Sequence, residues 1–471
     1  MMKFLTALFT ILLLAGCSFH TPTVVELPVD PPPEYLGNQA DDESGLPIDQ
    51  WWLAFHDERL NLLMAELFAQ NLELTQSFAR LEQVESLYRI TRSVQSPQIS
   101  AGASQGRSQQ PGVNDDFIGN NQQLSLAAGY ELDLWGKLAA QTEAASLELA
   151  ASRQDVQTVY LGLSARLADL YFLAVEQRAQ LALTEQSIAS FADTLVRVES
   201  RYRMGLVPAV DMYQARQSLS GAQAAGYLFE ARLAEAEHGI AVLLGRYPER
   251  SPDGSLEQLP APPGLFAVGI PAELISQRPD LQAALQRVEA ADSRVAVAIA
   301  DRFPSISLSA GYGSLRQDVT AGLIKGEFWN LLGNLVLPVV DGGRRRAEVD
   351  RQEAALREAV AGYQQKVLSA FQEVENALVN NYATGQRVER LAETAEATGA
   401  TLRLTTARYL VGLTDYLPVL TAQRADFDIS NRLLAAQRQL LTDRISLARA
   451  LGGDWMRVEM NSRLQIEKDE K

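Results

Sequence analysis

Between Tyr160 and Tyr202 the chain places a seam residue at alternating steps of three and four. The members are Tyr160, Leu163, Leu167, Leu170, Ala174, Gln177, Leu181, Thr184, Ile188, Phe191, Leu195, Val198 and Tyr202, and only Gln177 and Thr184 among them are polar. This is a heptad seam, the pattern of a helix packed lengthwise on another helix. The stretch that carries it, Lys137 to Arg203, contains no proline and only Gly162 as a glycine. As one helix it would be a rod of about 100 Å at 1.5 Å per residue. A second proline-free stretch, Arg344 to Leu410, carries Val367, Ala370, Val374, Ala377, Asn381, Thr384, Val388, Leu391, Ala395, Thr398, Leu402, Thr405 and Tyr409 in the same register. Small and polar members suit close helix approach.

Ahead of each rod the period changes to two. Leu124, Leu126, Ala128, Tyr130, Leu132 and Leu134 alternate with Ser125, Gly129, Glu131 and Asp133, as expected of a strand with one apolar face. The pattern predicts a strand pair over residues 98–134, split by the turn-rich QQPGVNDDFIGNN, and another over 305–340, split near Asp318 and Gly322. Tyr130, Trp135, Tyr312 and Trp329 lie near strand ends, where outer-membrane strands carry aromatic girdles and where plain packing would also place them.

The two halves repeat. A shift of 207 positions takes Leu74 to Leu281, Pro97 to Pro304, Arg201 and Tyr202 to Arg408 and Tyr409, and Gly205 and Leu206 to Gly412 and Leu413. A constant offset of this length marks a duplicated unit. The predicted organisation is therefore a leader over 1–16, an N-terminal extension over 17–56, a first repeat over 57–246, a linker over 247–270, a second repeat over 271–452 and a tail over 453–471. Each repeat holds a helix, a strand pair, a long helix (137–203, 344–410) and a return helix (211–245, 416–451). The first helix is expected to be continuous from Asp57 to Val94. The tail, ending in IEKDEK, is expected to be loose.

The leader adds a compartment. Lys3, an apolar run from Phe4 to Leu14, and Ala15 and Gly16 before Cys17 have the order of a signal peptide, and LAGC resembles a bacterial lipobox. Cys17 would then carry diacylglycerol on its sulfur and an acyl chain, such as palmitate, on its amine. Ser18, in place of an aspartate, points to the outer membrane. As the chain's single cysteine, Cys17 leaves no intramolecular disulfide. The formal net charge of −16 disfavours nucleic acid as a partner; it suits either plain solubility or an acidic, cation-attracting lumen.

Four apolar-faced strands cannot close a barrel, and an open edge in lipid leaves backbone groups unpaired at several kcal/mol each. The smallest spanning barrels have about eight strands. Two, three or four chains would each satisfy the arithmetic.

The turns RYRMGLVPAVDMYQAR and RYLVGLTDYLPVLTAQR, the strings ISQRPDLQAALQRVEAADSRV and ADRFPSISLSAGYG, and LPVVDGGRRRAEV resemble the TolC family of outer-membrane efflux proteins, in particular its lipid-anchored NodT-type branch. The resemblance spans Trp51 to Gly452. It implies a mainly α fold with a small β part: a homotrimer whose twelve-stranded barrel continues into an α-helical coiled-coil barrel of twelve helices. It also implies a periplasmic adaptor and an inner-membrane transporter, of the RND type in this branch, with passive conduction of small toxic compounds to the exterior. Gly205, Leu206, Val207 and Pro208, with Gly412, Leu413 and Thr414, match the adaptor-contact tip. Asp211 and Tyr409 match positions that bond between neighbouring helices and hold the resting channel closed. The chain departs from the family's pattern at Thr414, Pro418 and Thr421, where a gating arginine and two ring-forming aspartates occur, and Asp415 is the acidic residue left to replace them.

Two other classes fit less. An enzyme would need a cluster that the scattered His20, His56 and His238 do not form, and neither HExxH nor a P-loop occurs. A lipid-tethered coiled-coil scaffold would explain the rods but not the paired strands. Within channels, protein secretion of the type I kind stays open beside efflux.

Overall fold

The computed structural model describes residues 20–24, 27–37, 45–110, 117–248, 258–319 and 322–469. The leader and Cys17 lie outside them, as do residues 249–257 of the predicted linker. The chain is mainly helical. In order, the elements are a 3-10 turn Trp51–Phe55, α1 Glu58–Gln70, α2 Leu72–Ser93, β1 Gln98–Gln110, β2 Phe117–Leu132, α3 Lys137–Arg203, α4 Ala209–Leu243, α5 Pro271–Gln277, α6 Pro279–Ala300, β3 Ser305–Val319, β4 Gly322–Val336, α7 Arg344–Leu410, α8 Tyr416–Leu451 and α9 Trp455–Asp469.

Two compact units account for these residues. The first takes Ala79–Gln154 and Gln282–Gln365 with the start of the chain; the second takes Val29–Phe78, Asp155–Leu281 and Lys366–Lys471.

In the first unit the four strands form an antiparallel meander in the order β1-β2-β3-β4. β1 pairs with β2 from Gln98↔Gly129 to Gln110↔Phe117, and β3 pairs with β4 from Ser305↔Val336 to Val319↔Gly322. β2 joins β3 from Asn121↔Gln317 to Leu132↔Ile306, so the two predicted pairs make one sheet. Its apolar residues are not a core: Ile99, Leu124, Leu126, Leu331 and Leu335 are all exposed. At the base of the sheet Trp135 is a packing residue, its indole stacked on Phe303 and its Nε1 donating to the Pro304 carbonyl at 2.6 Å. Asp301 accepts from Lys137 at 2.6 Å and from Arg345 at 3.2 Å, tying the starts of both long helices to the end of α6. At the beginning of the described chain, His20 bonds Asp292 at 2.9 Å.

The second unit holds the aromatic core. Trp52 sits edge-on to Trp455 at 4.8 Å and to Phe68 at 5.6 Å, Phe68 contacts Tyr160 at 5.3 Å, and Phe55 contacts Phe172 at 5.0 Å. Asp57 caps α1 through the Arg59 and Leu60 amides, and its other oxygen accepts from the buried Tyr171 hydroxyl at 2.7 Å. Two expectations are corrected here. The first part of the tail is not loose, because Trp455, Met456 and Met460 supply a buried face that holds α9 to this core, whereas the side chains of the IEKDEK end lie outside those described. The first helix is broken at Asn71, whose side chain accepts from the Leu74 amide at 2.9 Å and restarts the helix as α2. At the matching point of the second repeat Pro279 starts α6, and Arg278 before it is extended, as a residue preceding proline prefers.

The repeat extends to individual contacts. Asn71 Nδ2 donates to the Leu243 carbonyl at 2.7 Å, and the residues 207 positions on, Arg278 and Ala450, make the same bond at 3.2 Å. Gly245, at φ 70, lies against the Gln70 carbonyl, and Gly452, at φ 82, lies against the Gln277 carbonyl. The seam residues of α3 and α7 are buried or half-buried, except Tyr202.

Candidate functional site

The long helices of the second unit end in two turns of the same build. Leu206 N donates to Arg201 O at 2.9 Å and Gly205 N to Tyr202 O at 2.9 Å; Leu413 N donates to Arg408 O at 2.9 Å and Gly412 N to Tyr409 O at 3.1 Å. Each is a helix C-terminal cap in which a glycine takes the left-handed conformation, Gly205 at φ 73 and Gly412 at φ 78. Reversal then leads into α4, with Pro208 at its N-cap, and into α8, with Asp415 at its N-cap and no side-chain bond from that carboxylate to the helix. Leu206 and Leu413 stand exposed at the two tips, while Val207 packs inward and Thr414 is half-buried.

Beneath the turns lies an apolar cluster of Val198, Ala215, Tyr409, Tyr416, Val419 and Leu420, with Leu195, Val207 and Met212 against it. It draws on both repeats and fixes the two hairpins to each other. Tyr409 and Tyr416 meet at 5.9 Å, and burial pushes the Tyr416 phenol up to about 12.

The structure places Asp211 near Tyr409, but no hydrogen bond joins them among the described residues. Asp211 is half-buried in the first turn of α4. Burial, and then the nearby Asp415 charge, raise its carboxyl above the ordinary aspartate range. The Tyr409 hydroxyl is buried without a hydrogen bond of ordinary geometry. Burial raises its pKa, the Arg201 cation opposes that rise, and the Asp211 charge adds to it.

Arg201 makes the tie between the hairpins. Its guanidinium lies over the Tyr409 ring, 4.6 Å from the centroid, and its Nη1 donates to the Tyr409 carbonyl at 3.1 Å. One cation thus holds the end of α3 to the end of α7 by ring and backbone together. Sequence reasoning missed this residue, although the Arg-Tyr pair ending both rods was a visible signal.

Higher along the helices, α3 meets α8 through polar groups. Glu176 pairs with Arg438 at 3.0 Å, Gln180 Nε2 donates to the Asn431 carbonyl at 3.1 Å, and Gln423 Nε2 donates to Thr194 Oγ1 at 3.0 Å. Burial raises the Glu176 carboxyl despite the arginine beside it. Gln177 and Gln180 each keep a buried amide oxygen without a partner among the described residues, so the seam is only partly satisfied by its own side chains.

Comparison with known proteins accounts for this architecture. The family model for "Outer membrane efflux protein" matches the chain twice, over residues 63–246 and 270–453. The toluene efflux pump outer membrane protein TtgI of Pseudomonas putida is 30% identical over 461 residues, 95% of this chain and 97% of that protein. Outer membrane protein OprJ of Pseudomonas aeruginosa is 31% identical over 468 residues, 96% of this chain and 95% of that protein. Among solved structures, the outer-membrane channel OprN superposes with a TM-score of 0.84 at 28% identity, covering 93% of this chain and all of that one. With two matched repeats, four paired strands and twin helical hairpins, the chain belongs to the outer membrane efflux protein family and is an outer-membrane efflux channel of the TolC-like fold.

Proposed function

We propose that three copies of this chain close one twelve-stranded barrel and one helical tube, and that the tube passively conducts small toxic compounds from an inner-membrane transporter and its periplasmic adaptor to the exterior. The observation that carries this reading is the open meander: apolar residues face outward from a sheet whose first and last strands are each paired on one side only. In lipid those edges need partners, and a chain with four strands finds them in other copies of itself. The names of the relatives support small organic compounds as cargo; TtgI belongs to a toluene efflux pump.

The finer assignments are part of the same proposal. Cys17 carries the diacylglycerol and N-acyl lipids, an RND-type transporter is the inner-membrane partner, and Gly205 to Pro208 with Gly412 to Thr414 receive the adaptor. Asp211, Tyr409 and Asp415 form the periplasmic gate, with no bond-making chemistry. Exposed Leu206 and Leu413 on glycine-capped turns support the docking role, because they offer an adaptor two apolar knobs at equivalent positions of the repeat.

The test is the set of toxic compounds that a deletion strain no longer tolerates, read alongside recovery of the chain with an adaptor after crosslinking. Restored tolerance on re-expression supports the duct. Full tolerance in the deletion strain, with proteins rather than small molecules retained in the periplasm, would favour a secretion duct instead.

A further inference from the structure

The tips break the rule that contacts recur 207 positions along the chain. Asn71 with Leu243 has its counterpart in Arg278 with Ala450, each pair lying within one repeat. The Arg201–Tyr409 tie instead runs from the first repeat to the second. Moving both residues on by one repeat takes Arg201 to Arg408 and would require a third repeat to supply the ring. The chain has none. In a ring of copies, the second repeat of one chain has the first repeat of the next chain as its neighbour, and there the aromatic ring is Tyr202.

The surfaces left over are those this arrangement needs. Tyr409 and Leu420 are each 3% exposed, buried by the contact within the chain. Their repeat mates Tyr202 and Tyr213 are 42% and 62% exposed. Arg408 is exposed, and no hydrogen bond or ion pair engages its guanidinium among the described residues. One chain therefore presents an unmatched cation on its second repeat and two unmatched aromatic rings on its first. Unlike patches that fit each other make a head-to-tail interface, which closes when the rotation between copies closes.

We propose that Arg408 of each subunit stacks on Tyr202 of the next and that this contact also covers Tyr213, so that the joint between subunits at the periplasmic tip copies the joint between repeats within a subunit. The proposal rests on the trimeric reading above and adds the residues that hold the tip together. The partner is a second copy of this chain.

The test uses the full-length chain in outer membranes, carrying Arg408→Cys with Tyr202→Cys and treated with a short bismaleimide. The expected result is covalent dimers and trimers on denaturing gels for the double variant and monomers for each single variant. The within-chain pair Arg201→Cys with Tyr409→Cys should take up one bridging reagent per subunit and still run as a monomer. If the double variant keeps its heat-resistant trimer band but gives no covalent dimer, the pairing is wrong while the assembly stands; if no trimer forms at all, both fall. A second reading does not depend on cysteine geometry. Tyr202→Leu should raise single-channel conductance, whereas Tyr202→Phe, which retains the ring, should match the unaltered channel; equal conductance in the two variants contradicts stacking.

Discussion

Arg201 and Tyr409 show how few atoms join the two hairpins at the tip. The guanidinium gains the ring face and a backbone carbonyl from one position, at 4.6 Å and 3.1 Å. A lysine there would lose the planar fork that serves both at once. Asp211 acts on the same cluster through its charge. Its folded carboxyl titrates above the unfolded value, so the folded tip binds more protons than the unfolded chain. Stability therefore grows as pH falls through the raised pKa, and that gain is lost as pH rises above it. If the packed tip is also the less conducting form, conductance in planar bilayers should drop on acidification through that raised pKa, and the drop should shrink markedly in Asp211→Asn. A full drop in that variant would assign the effect to another group. Gly412 gives a second residue-scale prediction. A Cβ there meets no atom within 4 Å, so the cost of Gly412→Ala is that of the backbone alone at φ 78. Thermal unfolding should report a loss of about 1 kcal/mol; an unchanged midpoint would mean that the turn relaxes freely.

At the scale of elements, α9 carries the clearest prediction. Trp455 is buried against Trp52 and Phe68, which joins the end of the chain to its N-terminal extension. Trp455→Ala should therefore destabilise the second unit by about 3–5 kcal/mol, the usual cost of emptying a buried aromatic site, read as a lower denaturation midpoint. What the sequence announced and what it hid divide along the same line. The rods were legible because a heptad seam is a local repeat, and the strands because alternation over a dozen positions has no other simple cause. The break at Asn71 was not legible, since an asparagine inside an apolar-periodic stretch can equally stay in the helix; here its side chain caps the Leu74 amide and is held in place by the Leu243 carbonyl. The tail misled because its polar end outweighed Trp455, Met456 and Met460, whose burial depends on Trp52 and Phe68 far away in the chain. At the tips, glycine positions and turn positions were readable in the sequence. The Arg201 tie joins residues two hundred positions apart, and no local period encodes such a pairing.

At the scale of the whole molecule, the duplicated unit explains why one chain is an incomplete object. Two repeats supply four strands, both edges of the meander lack a neighbour, and the apolar faces of the sheet are turned outward rather than into a core. The helices tell the same story, with polar seams between α3 and α8 inside the chain and exposed Tyr202 and Tyr213 beyond it. Lipid penalises the open sheet far more than water penalises the exposed rings, so the strands decide the assembly and the helices conform to it. The measurement that tests this most directly is disulfide formation between the edges: one cysteine placed in β1 at Ser104 and one in β4 at Leu331, scanned in register, in chains inserted into outer membranes. A shared barrel predicts covalent bonds between different subunits, giving a ladder that stops at trimer. A monomer-only pattern across the whole scan, from chains shown to be folded and membrane-inserted, would contradict it.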